Sequence, residues 1–274
     1  MNAKDALIED IGEGDITSNC LIEDNIKAKA IIVSNSRCVL SGMEEAKRVF
    51  ESLNLTFIPF YRDGEVVEGK IAEVIGKAKD ILVCERVALN FLSRMSGIAT
   101  YTRKLVEMAR QVNSNVEVLA TRKTTPFFRK YEKKAVVHGG GKRHRDTLSS
   151  HILIKDNHLK IIGSVKEAVL KAKRCYSGIV EIEVESLSDA LDAIEAGADV
   201  IMLDNMSAKT VKEIVSEIER RKLRKDVCIE VSGGINEENI KDFAESGVDR
   251  ISVGVITHSP RASDFSLDIV EVVD

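Results

Sequence analysis

The second half of the chain alternates short apolar segments with amphipathic ones. Six apolar runs rich in β-branched residues follow one another, at 116–122, 151–158, 180–186, 199–205, 228–234 and 250–256. Stretches of helical period separate several of them, so the order predicts repeated βα units. Parallel strands need cover on both faces, which a doubly wound sheet or a barrel provides. An α/β barrel of six or seven strands is favoured, because no strand is followed by G-x-G-x-x-G.

Residue types that cap helices mark the ends of the amphipathic stretches. Four helices are predicted to begin at a serine or an asparagine: Ser164, Ser188, Ser207 and Asn236. Gly197 and Gly247 stand where two helices are expected to end.

The first part of the chain predicts a separate α+β unit. Apolar runs at 26–42, 55–67 and 69–83 are typical of strands in an antiparallel or mixed sheet, and 43–53 is typical of one helix laid on it. The segment 85–111 has a helical period with an expected break near Ser96 and Gly97.

Two domains are therefore predicted. The first is an N-terminal α+β sandwich over 1–102, with or without the C-terminal segment 263–274, and the second is the barrel over 103–262.

Composition excludes several classes of protein. The formal net charge of −4 argues against a general nucleic-acid binder, and no apolar run is long enough to span a bilayer. The N-terminus lacks a signal-peptide pattern, and the five cysteines never take C-x-x-C spacing, so we expect a cytoplasmic protein with reduced thiols. Residues 121–160, however, hold eleven basic against three acidic residues, which predicts an anionic ligand there.

Polar residues follow nearly every predicted barrel strand, at the mouth where such barrels build active sites. These residues are Thr121, Arg122, Lys123, Lys155, Asp156, Asn157, Glu183, Glu185, Asp204, Asn205, Ser232, Gly233, Gly234 and Gly254. For any one of them a salt bridge or a helix cap is an equally good explanation. Together they predict a ligand site.

The charged groups divide into an acidic and a basic set. Glu181, Glu183 and Glu185 share one face of their strand, and inward carboxylates there need sugar hydroxyls, magnesium or an opposing lysine such as Lys155. The basic set suits carboxylate or phosphate and consists of Arg122, Lys123, His144, Arg145 and Lys155. A solvated surface run or an RNA-contacting loop is the alternative for 142–145.

Glycines support the anion-binding interpretation, and other kinds of site lack support. Gly139 to Gly141 can fold closely around an anion, and Ser232 to Gly234 and Gly254 precede predicted helix starts that suit phosphate. The five histidines show no metal-ligand spacing, so no zinc site is predicted. G-x-S-x-G is absent, so a Ser-His-Asp hydrolase is not predicted either.

Taken in order, eight segments resemble the quinolinate phosphoribosyltransferase family, also called nicotinate-nucleotide pyrophosphorylases. They are ERVALNFLSRMSGIAT (85–100), TRKTTP (121–126), GGGKRHR (139–145), LIKDNH (153–158), EVES (183–186), EAGADVIMLDN (195–205), SGGI (232–235) and VGVITHS (253–259). The resemblance covers nearly the whole chain, and the joint order of the segments is far more specific than any one of them.

The resemblance implies a fold, a reaction and partners. The fold is an α+β sandwich with an incomplete α/β barrel, of the type II phosphoribosyltransferase kind, and the expected assembly is a homodimer with shared sites, or a hexamer. The reaction is transfer of phosphoribosyl from phosphoribosyl pyrophosphate to quinolinate with Mg²⁺, giving nicotinate mononucleotide, pyrophosphate and CO₂ in NAD biosynthesis. A related transferase, acting on nicotinate or of the molybdate-operon type, is the alternative.

The resemblance also implies residue roles. Arg122, Lys123, His144, Arg145 and Lys155 would bind quinolinate's carboxylates and the pyrophosphate, with Thr121 and His258 also in contact with substrate. Arg86 would enter the neighbouring subunit's site. Glu183 and Asp204 would face the ribose hydroxyls and the magnesium ion, directly or indirectly. Catalysis would depend on Lys123, Lys155, Glu183 and Asp204. The 5-phosphate would lie on Ser232, Gly233, Gly234, Val253, Gly254 and Val255.

The chain departs from the family's motifs at five positions: Ala120, Phe127, Lys134, Val137 and Ser150. None of them carries an assigned role. Whether Ala120, Phe127 and Ser150 change the acceptor preference is left open by the sequence.

Overall fold

The computed structural model describes residues 3–273 and divides into two compact units. The first consists of the described residues of Met1–Arg103, Thr125–Gly140 and Ser259–Asp274. The second consists of Lys104–Thr124 and Gly141–His258.

The first unit contains a four-stranded antiparallel sheet and helices. Its strands, in the order β11-β1-β3-β2, are β1 Lys27–Val39, β2 Thr56–Pro59, β3 Val66–Lys77 and β11 Phe265–Val273. Its helices are α1 Ala3–Ile11, α2 Ile16–Leu21, α3 Met43–Glu51, α4 Ala78–Arg110 up to Arg103, and α5 Arg129–His138. α3 buries Ala46, Val49 and Phe50 completely, and the Phe50 ring stacks on Phe57 of β2 at 5.7 Å between centroids. The prediction that 43–53 forms one helix packed on the sheet is confirmed.

Two sequence predictions in this unit were wrong. The strand predicted over 69–83 ends at Lys77, and α4 begins at Ala78. The break expected near Gly97 is absent, because α4 continues through that residue. A Cβ at Gly97 would collide with the backbone carbonyl of Arg261, so glycine there permits close packing instead of ending the helix.

The second unit is built on a seven-stranded parallel sheet in the order β5-β4-β10-β9-β8-β7-β6. The strands are β4 Glu117–Ala120, β5 Lys142–Arg143, β6 Ile152–Ile154, β7 Val180–Val184, β8 Val200–Asp204, β9 Cys228–Ser232 and β10 Arg250–Val253. Over residues 3–273, β5 and β6 each pair with one neighbour only, so the barrel is incomplete. The predicted barrel is confirmed, with β5 as the strand that the apolar pattern did not indicate.

Six helices belong to this unit: α6 Asp156–Ile162, α7 Val165–Cys175, α8 Leu187–Glu195, α9 Ala208–Arg220, α10 Ile240–Glu245 and α11 Val255–His258. Ser164 and Ser207 cap α7 and α9 as predicted. Gly197 and Gly247 take the left-handed φ values of 88° and 86° expected just past a helix end.

Two predicted helix starts were wrong. α8 is capped by Ser186 and not Ser188, since Ser186 Oγ accepts from Asp189 N at 3.1 Å. α10 begins only at Ile240, because the side chains of Asn236 and Asn239 accept hydrogen bonds from Glu238 N and Asn236 N and hold the preceding residues in turns.

Alternation along the strands separates the core from the site. Ile182, Ile201, Val231 and Ile251 are fully buried on one face of the sheet, and α7 and α8 pack against β6 to β8. The residues next to them in the sequence have side chains on the opposite face of the sheet, toward the inside of the barrel. The register pairs Glu183 with Met202 and Asp204 with Ser232, so these residues share the inward face of adjacent strands in two successive lines.

None of the helices that the structure describes over residues 3–273 has the length and apolar character needed to cross a membrane.

Candidate active site

A cavity of about 600 Å³ opens at the carboxyl ends of the parallel strands of the second unit. Its lining brings together eleven of the residues to which the family resemblance gives a role: Thr121, Arg122, Lys123, His144, Arg145, Lys155, Glu183, Asp204, Ser232, Gly233 and Gly234. Leu153, Asp156, Glu185, Met202, Asn205 and Ser252 complete it. A volume of this size is typical of a small-molecule site.

Five predicted residues lie elsewhere. Val253 is buried in β10, and Val255 and His258 form the ends of α11. A Cβ at Gly254 would lie 3.1 Å from Lys123 Cδ, and Thr257 Oγ1 donates to the Lys123 carbonyl at 2.8 Å, so this segment positions Lys123. Arg86 belongs to the first unit, where its side chain is 63% exposed and its guanidinium is 3.9 Å from Glu85.

The acidic side of the cavity consists of Glu183 and Asp204. Lys155 Nζ donates to Glu183 Oε1, and Asn205 Nδ2 donates to Asp204 Oδ2 at 2.7 Å. Burial raises the pKa of Glu183, although Lys155 acts in the opposite direction. Burial also raises the pKa of Asp204, against the lowering effect of Lys155 and Lys123. Burial therefore disfavours the ionised form of both carboxyls, and a bound cation would stabilise that form.

The basic side of the cavity includes two arginines, Arg122 and Arg145. Arg145 is 8% exposed, and burial together with the nearby charge of Arg122 lowers the pKa of its guanidinium. Among the described residues, the buried Nε of Arg122 has no hydrogen-bond partner. Two guanidiniums close enough to repel each other, one with an unused donor, form a site for an anionic ligand.

A buried polar layer lies beneath the cavity, contributed by Glu181, Glu230 and Ser252 on the strands and by His144 and His151 next to strand ends. His144 Nε2 is 3.1 Å from Glu181 Oε1, and His151 Nε2 is 2.8 Å from Glu181 Oε2. Ser252 Oγ donates to Glu230 Oε1 at 2.5 Å, and this oxygen is 3.5 Å from His144 Nε2.

Burial and the hydrogen bonds set the pKa values of the two glutamates in this layer. Burial would raise the pKa of Glu181, but hydrogen bonds from His144 and His151 hold it at about 2. Burial and the charge of Glu181 raise the pKa of Glu230 to about 7.

The sequence analysis missed His151, Glu230 and Ser252 in this layer. The signal that could have found Glu230 and Ser252 was their spacing. Each lies two residues before a predicted mouth residue, Ser232 or Gly254, and so on the same face of its strand.

Two of the predicted glycines allow a close approach of other atoms. Gly233 has φ +100°, and a Cβ there would collide with the Asn205 side chain, whereas Gly234 at φ +62° faces open space. Because α10 starts at Ile240, a phosphate on this segment would meet loop backbone and not a helix N-terminus. A Cβ at Gly139 would lie 2.5 Å from the Ala99 carbonyl, so Gly139 permits packing against α4.

Two of the departures from the family's motifs fall in the second unit, and neither lines the cavity. Ala120 is fully buried at the end of β4. Ser150 is exposed, and its hydroxyl accepts from Asp146 N and Thr147 N at 3.2 and 3.1 Å.

Family models match most of the chain. The C-terminal domain of quinolinate phosphoribosyl transferase matches residues 98–268, and the N-terminal domain matches residues 15–96.

Curated relatives and solved structures agree with those matches. A protein of Methanocaldococcus jannaschii named probable nicotinate-nucleotide pyrophosphorylase [carboxylating] is 44% identical, over 97% of this chain and 95% of its own length. The rat nicotinate-nucleotide pyrophosphorylase [carboxylating] is 38% identical, over 91% of this chain and 84% of its own. The crystal structure of NadC from Streptococcus pyogenes superposes with a TM-score of 0.91 and 38% identity, covering 99% of this chain and 95% of that one.

Proposed function

Because the chain belongs to the quinolinate phosphoribosyl transferase family, we propose that it transfers phosphoribosyl from phosphoribosyl pyrophosphate to quinolinate. The transfer is accompanied by loss of CO₂ and releases nicotinate mononucleotide and pyrophosphate, a step of NAD biosynthesis. The names of the curated relatives support this reaction. The observation that carries it is one cavity lined by two repelling guanidiniums and by two carboxyls whose pKa values are raised by burial.

The charges of the cavity match those that the reaction develops. Breaking the bond between C1 and the pyrophosphate oxygen places positive charge on the ribose ring and negative charge on the leaving group. Glu183 and Asp204 would stabilise the first, and Lys123 and Lys155 the second. Attack by the ring nitrogen of quinolinate on C1 requires both reactants to be held in contact, which the cavity provides by proximity.

The basic residues would also hold the acceptor. Quinolinate carries two carboxylates, and the forks of Arg122 and Arg145 can each bind one through paired hydrogen bonds, with His144 beside them. The new bond leaves positive charge on the ring nitrogen. The electrons of the adjacent carbon–carboxylate bond can then stay on the ring as CO₂ departs, and a proton takes its place.

The donor set of the acidic side fits a magnesium ion. Glu183 and Asp204 offer carboxylate oxygens, the ligands that Mg²⁺ prefers, and burial raises the pKa of each, an effect that a bound cation would offset. Bound with pyrophosphate, the ion would supply neutralisation of the leaving group's charge.

We further propose a homodimer in which Arg86 of one subunit enters the active site of the other. Its support is the 63% exposure of the Arg86 side chain and its single distant ion pair within the first unit, together with the basic character of the cavity. The five free cysteines agree with a reducing, cytoplasmic setting.

The test is a turnover assay on the purified protein with phosphoribosyl pyrophosphate, Mg²⁺ and quinolinate. Nicotinate mononucleotide, pyrophosphate and CO₂ should form in equal amounts. Nicotinate in place of quinolinate should give no product. Product from nicotinate but not from quinolinate would contradict the proposal and indicate a related transferase.

A further inference from the structure

The inside of the incomplete barrel carries ionisable groups where parallel barrels normally carry bulky apolar ones. His144, His151, Glu181 and Glu230 meet there, beneath the cavity, and we call them the imidazole–carboxylate cluster. Glu181 and Glu230 are 1% and 0% exposed. Two carboxylates buried this deeply are costly unless positive charge and hydrogen bonds satisfy them.

The distances within the cluster suit a metal ion. The ligand atoms of His144, His151 and Glu181 all lie within 4.8 Å of one another. Glu230 Oε1 joins them at 3.5 Å from His144 Nε2. Tetrahedral ligands at the zinc–nitrogen and zinc–oxygen distances of about 2.1 Å lie about 3.4 Å apart. Small side-chain shifts would therefore bring His144, His151 and Glu181 onto one ion, with Glu230 beside His144 as the fourth group.

A second observation points the same way. Among the described residues, Glu230 Oε2 is a buried carboxylate oxygen with no hydrogen-bond partner, although Ser252 satisfies the other oxygen. An unsatisfied buried acceptor is rare in folded proteins and needs an explanation. A divalent cation would give it a ligand bond and would neutralise the charges of both glutamates.

We propose that the imidazole–carboxylate cluster binds one divalent transition-metal ion, such as Zn²⁺ or Co²⁺, through His144, His151, Glu181 and Glu230. Two imidazoles beside two carboxylates favour these ions over Mg²⁺, which prefers oxygen ligands alone. An ion can reach the cluster from the cavity, since His144 and Ser252 line both. Sequence spacing gave no sign of the site, because His144 follows β5, His151 precedes β6, and the two glutamates lie on β7 and β9.

The site would regulate the reaction. In the bound state His144 Nε2 is a metal ligand and cannot contact the acceptor, so the metal and quinolinate compete for one imidazole. This consequence rests on the proposed function, whereas metal binding itself does not.

Metal binding is tested with Co²⁺ added to the full-length protein after treatment with a chelator, in the presence of Mg²⁺. We expect one equivalent of Co²⁺ to give the intense visible absorption of four-coordinate cobalt, and Zn²⁺ to displace it. His151→Asn, which keeps a donor for Glu181, and Glu230→Gln should each weaken Co²⁺ binding at least about tenfold. His138→Asn, which removes a histidine of the first unit, should leave it unchanged. Weak six-coordinate spectra, or equal affinity in wild type and His151→Asn, would overturn the site.

The regulatory consequence is tested by kinetics. Micromolar Zn²⁺ should raise the KM for quinolinate in wild type and have little effect on it in His151→Asn. An equal rise in both proteins would overturn the competition. If the protein forms no nicotinate mononucleotide at all, the proposed function fails, while the cobalt spectra still decide whether the metal site exists.

Discussion

The pairing of Lys155 with Glu183 illustrates how single residues are tuned in the cavity. Lys155 follows β6 and Glu183 lies on β7, and their side chains are hydrogen-bonded. Burial raises the pKa of Glu183 and Lys155 lowers it, so the lysine keeps this carboxylate available in its ionised form. Lys155 thus supports the acidic side of the cavity while being part of the basic set.

Replacement of Lys155 by Met should therefore affect both charges of the reaction. We expect kcat/KM to fall about 10²- to 10³-fold, the range seen when one electrostatic group of an active site is removed. Lys171→Met is the matched control, because Lys171 is exposed on α7 and pairs with Glu167 of the same helix, away from the cavity lining. Steady-state rates with both substrates measure the effect. Equal losses in the two variants would contradict the role.

His138 gives stability a dependence on pH. Burial lowers its pKa, assisted by the charge of Lys134 and opposed by Asp63, and its ring is 2.8 Å from Ser41 Oγ. Because the folded state prefers the neutral ring, this contribution is complete above the ordinary histidine pKa of about 6.5 and is lost as the pH falls through the lower folded value.

The free energy of unfolding, measured with urea near pH 8 and near pH 5.5, should show this loss of stability at the lower pH. Wild type should lose stability relative to His138→Asn as the pH falls, since the asparagine side chain stays neutral throughout. Parallel pH profiles for the two proteins would show that His138 does not titrate in this way.

At the scale of elements, sequence patterns predicted the helix starts and strands that depend on neighbouring residues. Ser164 and Ser207 cap their helices, and the alternation of apolar residues located most barrel strands. The errors arose where a contact from a distant or a competing residue determines the structure. Gly97 lies inside a helix because the backbone of Arg261 approaches it closely. Side-chain hydrogen bonds form turns that delay the start of α10. β5 has only two residues and no apolar run, so no periodic pattern could reveal it.

The loop after β9 provides a prediction at this scale. Gly233→Ala should raise the KM for phosphoribosyl pyrophosphate at least about tenfold, because φ +100° strains alanine and its Cβ would displace Asn205, which is bonded to Asp204. Gly197→Ala is the control that shows the effect of backbone strain without a steric collision. Gly197 has φ +88°, and no atom lies within 4 Å of its Cβ position. We expect Gly197→Ala to lose stability in urea but keep its KM. A raised KM in both variants would contradict the collision.

For the whole molecule, strand topology explains why much of the site could be predicted. All parallel strands end at one edge, so residues after Ala120, Ile154, Val184 and Ser232 had to meet there whatever the details of packing. The layer beneath could not be predicted with equal ease. Its two glutamates lie at ordinary strand positions and its two histidines next to strand ends, and only the folded sheet brings them together.

A site completed by a second subunit is a property of the assembly, and subunit mixing tests it. Arg86→Ala and Lys155→Ala should each keep at most about a hundredth of wild-type turnover when tested alone. In a mixed dimer both defects fall in one site and the other is intact, so an exchanged equal mixture should recover about a quarter of wild-type activity. Lys155→Ala mixed with Asp204→Ala should recover none, because each site then keeps one defect. Subunit exchange is followed with differently tagged chains, and exchange without recovery in the Arg86 mixture would contradict the shared site.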